Sequence, residues 1–185
     1  MSARLTLISH ASTAAVHAAA FPRDEPIDEQ GHKKATALVL ERGRVDAAWT
    51  SPSLRARQTA AALKLDAVVE PVLRDIDLGS WSGRTFDDVQ INAPDQLAEW
   101  TTDPNAAPHG GESVVALIER LRPWLDSIRR DDQRVVAVTH PAIIRAVLIL
   151  AIDAEPRSFW RIDVAPLCQV SFSGNALRWT LRSLG

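Results

Sequence analysis

The chain has 185 residues, 46% of them hydrophobic and 24% charged, with a formal net charge of −2. This suits one domain over residues 1–185 with its own core, and the near-balanced charge argues against a nucleic-acid binder that works by electrostatics. A single cysteine, Cys168, excludes an intramolecular disulfide and leaves no zinc-type Cys spacing; it is expected as a small buried hydrophobe on a late strand. The opening run MSARLTLIS lacks the apolar stretch of a signal peptide. The longest apolar run, 143–152, is broken by Arg145 and too short to span a bilayer. A cytoplasmic protein without a membrane partner is expected.

Residues 4–9 form the first strand candidate, with Leu5, Leu7 and Ile8 apolar enough for a central position. Residues 10–27 are small or turn-forming and read as a long loop. Asp28 caps a helix over 29–42 that Gly43 stops. A strand at 45–50 leads into Ser51-Pro52 and a helix through Leu63, proline suiting a first helical turn. A short strand follows at 67–70. Between 73 and 102, glycines and prolines separate short helical pieces. The clearest helix spans 112–130, with Ile118, Leu121, Leu125 and Ile128 at helical spacing and Pro123 predicting a kink. The strand RVVAVT at 134–139 has the pattern of one buried on both faces, and a helix over 141–151 follows. Residues 168–173 and 176–181 alternate around Gly174-Asn175, as in an antiparallel hairpin at a sheet edge. Such an edge is a place where two chains pair, so a homodimer is one expectation.

Strands alternating with helices imply a three-layer α/β/α sandwich around a mostly parallel sheet, with antiparallel strands near the C-terminus. In such sheets, chemistry gathers where strands end. His10 and His140 both occupy strand ends, 130 residues apart. Singly, each is as well explained as a satisfied polar residue; as a pair they point to a site. His17, His32 and His109 are expected at the surface. Arg55 and Arg57 fall in the first turns of a helix, where free N–H groups and an arginine fork suit an anion; Arg57 reads as a solvated face. In LRDIDLGSWSG, residues 73–83, Asp75 or Asp77 offers either a proton-transfer carboxylate or a capped turn. The stretch 109–113, HGGES, offers either an anion-binding turn or a flexible entry with Ser113 as a cap. Trp81 and Trp100 read as packing.

Four segments in this order, SPSLRARQTA (51–60), LRDIDLGSWSG, GGES and VVAVTHPAIIRAVL (135–148), resemble the histidine phosphatase superfamily. That resemblance implies a phosphoglycerate mutase-like fold and a metal-independent, cofactor-free phosphatase acting on a small organic phosphomonoester. It assigns the phosphohistidine to His10, the grip on the phosphoryl oxygens to Arg55, and further hydrogen bonds to His140. Asp75, where glutamate is usual, would protonate the leaving oxygen and then activate water. Ser9, Ala11, Thr13, Ser113 and Pro141 complete the expected phosphate- and substrate-binding set. Several positions depart from the pattern: Ser9 replaces an arginine, Ala11 and Pro141 replace glycines, and Ser12 and Val16 stand where glutamate and asparagine are common. Charge-assisted hydrogen bonds from such an arginine are worth roughly 1.5–3 kcal/mol, about ten- to hundredfold in affinity or rate. Arg23 in the long loop is a candidate replacement. The alternative reading is a weakened member that binds phosphate or a phosphorylated ligand without efficient turnover. Mutase activity is disfavoured because the chain lacks the inserted segments of the mutases. Substrate choice falls to residues 11–27 and 84–110.

Overall fold

Alternation decides where β1 (Ala3–Ser9) sits: Leu5 and Leu7 point into one core and Ile8 into a second core on the opposite face. A strand apolar on both sides belongs inside a sheet covered by helices. The computed structural model, which describes residues 3–40, 44–175 and 177–185, puts it there. The other strands are β2 (Ala47–Thr50), β3 (Val68–Val69), β4 (Arg134–Thr139), β5 (Gln169–Gly174) and β6 (Trp179–Leu184). They form one six-stranded sheet in the order β3-β2-β4-β1-β5-β6. The first four in that order are parallel, and β5 and β6 are antiparallel. The sandwich and its antiparallel edge follow the expectation.

On one face, α6 (Val114–Arg130) and α7 (Pro141–Ile152) bury Leu117, Leu121, Ile143 and Val147 against Leu5, Leu7, Val135 and Ala137. On the other, α3 (Leu54–Ala62) sets Ala56 and Ala60 against Ile8 and Val138, with α2 (Glu29–Ala37) beside it. Each fully buried Leu or Ile side chain contributes roughly 1.5–3 kcal/mol, so the α6–α7 layer holds most of the fold's hydrophobic stabilisation. The β1–β4 register pairs Ser9 with Thr139. The next residue on each strand, His10 and His140, therefore leaves the sheet beside the other, and His10 N–H donates to Thr139 O at 2.8 Å.

Several boundaries differ from the sequence-based expectation. Helix α2 ends at Ala37 because Leu38 turns extended, and Leu38 and Leu40 pack against the α3-side core instead of continuing the helix. The predicted stop at Gly43 lies outside the described residues. The supposed loop 10–27 contains one helical turn, α1 (Ala14–His17), because the Thr13 hydroxyl accepts from Val16 N–H and caps it. Helix α3 starts at Leu54, two residues beyond Pro52, and α6 runs unbroken through Pro123. The irregular region holds α4 (Phe86–Asn92) and α5 (Pro94–Thr102). Strand β6 starts at Trp179, whose ring covers Gly174 of β5; Ala176, the predicted start, is outside the described residues. Cys168 is half-buried immediately before β5, and its carbonyl accepts from Ser9 N–H at 2.9 Å. Among the described residues, no helix is long and apolar enough to cross a membrane.

Candidate active site

The two histidines meet edge to face, with ring centroids 5.3 Å apart. His10 Nδ1 lies 2.8 Å from Ala11 O. A carbonyl only accepts, so this contact puts the proton on Nδ1 and leaves the lone pair on Nε2. The backbone here is fastened to α3: Ala11 N–H donates to Thr59 Oγ1 at 2.9 Å, and that hydroxyl donates to Arg55 O at 2.7 Å. Arg55 comes from the first turn of α3 and is buried. Its Nη2 donates to Asp75 Oδ2 at 2.7 Å and its Nη1 to Arg23 O at 2.5 Å, while its buried Nε has no partner. Asp75 Oδ1 accepts from Ile76 N–H at 2.9 Å. His140 Nδ1 stands 3.3 Å from Asp75 Oδ2 without hydrogen-bond alignment, and its Nε2 lies 2.7 Å from Ser51 Oγ and 3.2 Å from Ser53 Oγ. The loop carrying Asp75 is latched to α6 by Arg120, which donates to Val72 O, Arg74 O and Glu112.

Burial sets the charges. It holds His10 below the ordinary histidine value, only partly offset by the bond to Ala11 O. It drives His140 down to about 3, against the pull of Asp75. Both imidazoles are neutral near pH 7. Burial opposes the charge on Asp75, but the groups facing it, His140 and Arg55 foremost, outweigh burial and keep it below the ordinary carboxylate value. The resting site thus pairs a neutral imidazole, its Nε2 lone pair free, with a carboxylate held ionised beside a guanidinium. A cavity of about 220 Å³ opens in front, lined by His10, Asp75, Thr13 and Pro141 among others.

Comparison with known proteins matches residues 5–185 to the family model of the histidine phosphatase superfamily (branch 1). The chain belongs to that superfamily. It is 30% identical over 146 residues to Phosphoserine phosphatase 1 of Hydrogenobacter thermophilus, covering 74% of this chain and 69% of that one. It is 32% identical over 155 residues to a glucosyl-3-phosphoglycerate phosphatase of Mycolicibacterium vanbaalenii, covering 75% and 68%. A bifunctional protein of Mycobacterium tuberculosis is 32% identical over 182 residues, 91% of this chain, and the chain spans 50% of its length. Among solved structures, a mycobacterial glucosyl-3-phosphoglycerate phosphatase complexed with VO3 superposes with a TM-score of 0.86 at 27% identity, covering 97% of both chains.

Within this histidine phosphatase fold, His10, His140, Arg55 and Asp75 come together; His10 and Asp75 line the cavity with Thr13 and Pro141, while His140 and Arg55 stand behind Asp75. Other members of the predicted set fall elsewhere. Ser9 shares the strand face of Leu5 and Leu7; it is fully buried, lines no part of this cavity, and its Oγ has no partner. Ala11 contributes its backbone, held by Thr59. Ser113 caps α6, accepting from Ala116 N–H at 3.1 Å, and does not line the cavity. The HGG turn crosses the Asp77 loop instead of facing the cavity: a Cβ on Gly111 would come within 2.1 Å of Asp77 O. His109, expected at the surface, is buried because the Trp81 and Trp100 rings close over it at 5.1 and 6.3 Å. Trp81 is core, as expected; Trp100 packs on it but also lines the cavity. His17, His32 and Arg57 are exposed. Arg23 fills the space over Gly83, where a Cβ would meet its Nε at 2.0 Å, and shares an outer groove with Arg55 and Asp75. The N-terminus of α3 is occupied from within, since Leu54 N–H donates to Asp24 Oδ1 at 2.6 Å.

Residues missed from the sequence are Ser51, Ser53, Thr59, Asp24 and Arg120. Their signal was faint. Ser51 follows a strand, as His10 and His140 do, and a hydroxyl there is within reach of a neighbouring strand end.

Proposed function

We propose that this protein hydrolyses a small organic phosphomonoester through a phosphohistidine on His10. The observation that carries the reading is the shared carboxylate: Asp75 Oδ2 sits between Arg55 Nη2 at 2.7 Å and His140 Nδ1 at 3.3 Å, beside a histidine whose free lone pair is on Nε2. The phosphoryl group binds against Arg55, whose Nε is unspent, and against the Nδ1–H of His140, which is near Asp75 but not aligned with it. As the phosphate draws on Arg55, the guanidinium loosens its hold on Asp75 and the carboxyl gains a proton. His10 Nε2 then forms a bond to phosphorus while the P–O bond breaks. The leaving oxygen keeps the electron pair and takes the proton from Asp75. Ala11 O, holding Nδ1–H, steadies the positive charge on the phosphorylated ring. In the second half, water attacks phosphorus, Asp75 accepts its proton, and the N–P electrons return to Nε2.

Similarity to proteins named as phosphatases supports this reading over the weakened ligand binder. The test is hydrolysis of 4-nitrophenyl phosphate by the natural protein and His10→Ala. The natural protein is expected to exceed His10→Ala clearly. A natural protein no faster than His10→Ala would overturn the reading.

A further inference from the structure

The cavity before His10 is mostly carbon. Beyond His10 and Asp75, its walls include Val16, Phe21, Ile76, Leu78, Trp100 and Phe159. At about 220 Å³, it is smaller than the roughly 300–1,000 Å³ of pockets that take drug-sized ligands, and it suits a single ring or a short branched chain. Among its described lining residues, the remaining charged side chain is Arg145.

Arg145 lies one helical turn beyond Pro141 on α7, so it shares that residue's face toward the cavity. Its Nε donates to Ile162 O at 2.7 Å, and its guanidinium carbon stands 5.5 Å from the centre of the Phe159 ring. These two contacts fix the plane of the fork. Among the described residues, no hydrogen bond engages its two Nη groups and no carboxylate lies within ion-pair distance; Asp163 and, across the cavity, Asp75 act on its charge from farther away. Arg145 is half-buried, and a cation partly withdrawn from water ordinarily has an anionic partner in contact. Here neither Asp163 nor Asp75 comes within contact distance, and the side chain faces the space next to the nucleophile.

We infer that Arg145 is the specificity-determining residue, taking a carboxylate at the far end of a substrate whose short body, between phosphate and carboxylate, is apolar or aromatic. The inference takes its orientation from the reading of His10 as the phosphoryl site, but it concerns binding, which can be measured without turnover.

Three phosphonates separate the two questions: phenylphosphonate, 4-carboxyphenylphosphonate and 2-hydroxyethylphosphonate, titrated calorimetrically into the natural protein and its variants. The carboxylated ring is expected to bind about tenfold or more tightly than the plain ring, and the plain ring more tightly than the hydroxyethyl compound. In Arg145→Gln the two aromatic ligands bind alike, whereas Arg145→Lys, which keeps the charge, retains part of the preference. Val16→Asn, at a side chain that is 44% exposed, narrows the margin between the plain ring and the hydroxyethyl compound. A carboxylate preference that is absent, or that survives Arg145→Gln, overturns the assignment, as does failure of all three to bind. The expected binding pattern in a protein that hydrolyses none of the corresponding phosphates would overturn the catalytic reading and leave the ligand class standing.

Discussion

His10 and His140 occupy the same place on neighbouring strands, one residue past the Ser9–Thr139 pair, yet they are built for different work. His10 edges a cavity and has its Nδ1 fixed by Ala11 O. His140 is wholly buried, with Nε2 against Ser51 and Nδ1 turned to Asp75. Topology brings two imidazoles together, but their first neighbours differ: a carbonyl fixes the proton of His10 on Nδ1, whereas a serine hydroxyl meets His140 Nε2. On the proposed reading the first ring attacks and the second donates. Removing each in turn breaks the comparison most sharply. His10→Ala is expected to abolish acid-labile phosphoenzyme and lower turnover by about 10⁴-fold or more. His140→Ala is expected to lower turnover by about 10²–10³-fold while a phosphoenzyme still forms. Rapid quench of a ³²P-labelled monoester reaction into alkaline detergent, where a phosphohistidine survives, reads both. Phosphoenzyme lost in His140→Ala but kept in His10→Ala would reverse the two roles.

Asp75 faces His140 and shares the cavity with His10, and its replacement sharpens the contrast between bond making and proton transfer. Asp75→Asn is expected to slow hydrolysis of an alkyl phosphate by about 10³-fold, within the range for a positioned acid–base group. The loss is smaller for 4-nitrophenyl phosphate, whose leaving group departs without a proton. An equal loss on both substrates would remove the proton-transfer role and leave Asp75 only the task of holding Arg55.

The strand ends were legible in the sequence and the walls around them were not, for a physical reason. RVVAVT is apolar on both faces, and RLTLIS carries Leu5 and Leu7 on one face and Ile8 on the other, which suits both to the middle of the sheet, so the position of His10 and His140 follows from pattern. The grip of Arg55 on Asp75 was half visible, since the helix start was readable but the loop that swings Asp75 to it depends on Arg120 of α6, 45 residues away. Ser51, Thr59 and the burial of His109 depend on contacts between distant segments that leave no periodic trace. Ser9 is the instructive miss. The motif placed it beside phosphate, but the strict alternation of β1 turns its side chain to the core face with Leu5 and Leu7.

Ser51 tests whether its hydroxyl is what holds His140 in its donor form. Ser51→Ala leaves the buried Nε2 with only Ser53, at 3.2 Å, and an unmet buried polar group costs about 1–3 kcal/mol. Turnover is expected to fall about tenfold, with a lowered melting temperature and little change in KM. Ser51→Thr, which keeps the hydroxyl, restores most of the rate. If Ser51→Ala lowers stability alone, the tautomer of His140 is set elsewhere.

The smallest effect is a pH slope. His140 has a folded value of about 3 against an ordinary 6.5, so between those values the unfolded chain takes up a proton that the folded chain excludes. Stability from this group is complete above about pH 6.5 and declines as the pH falls toward 3. His10, also lowered by burial, acts in the same direction below 6.5. Asp75, held below its ordinary 3.8, adds to the loss only as the pH drops past that value. Each fully excluded proton steepens the dependence by about 1.4 kcal/mol per pH unit. Chemical denaturation at intervals from pH 4 to 8 should therefore show a rise that levels off near 6.5 to 7, shallower by up to one proton in His140→Gln. An unchanged slope in that variant would mean that the buried ring does not resist protonation, and the two histidines would then differ in exposure but not in electrostatics.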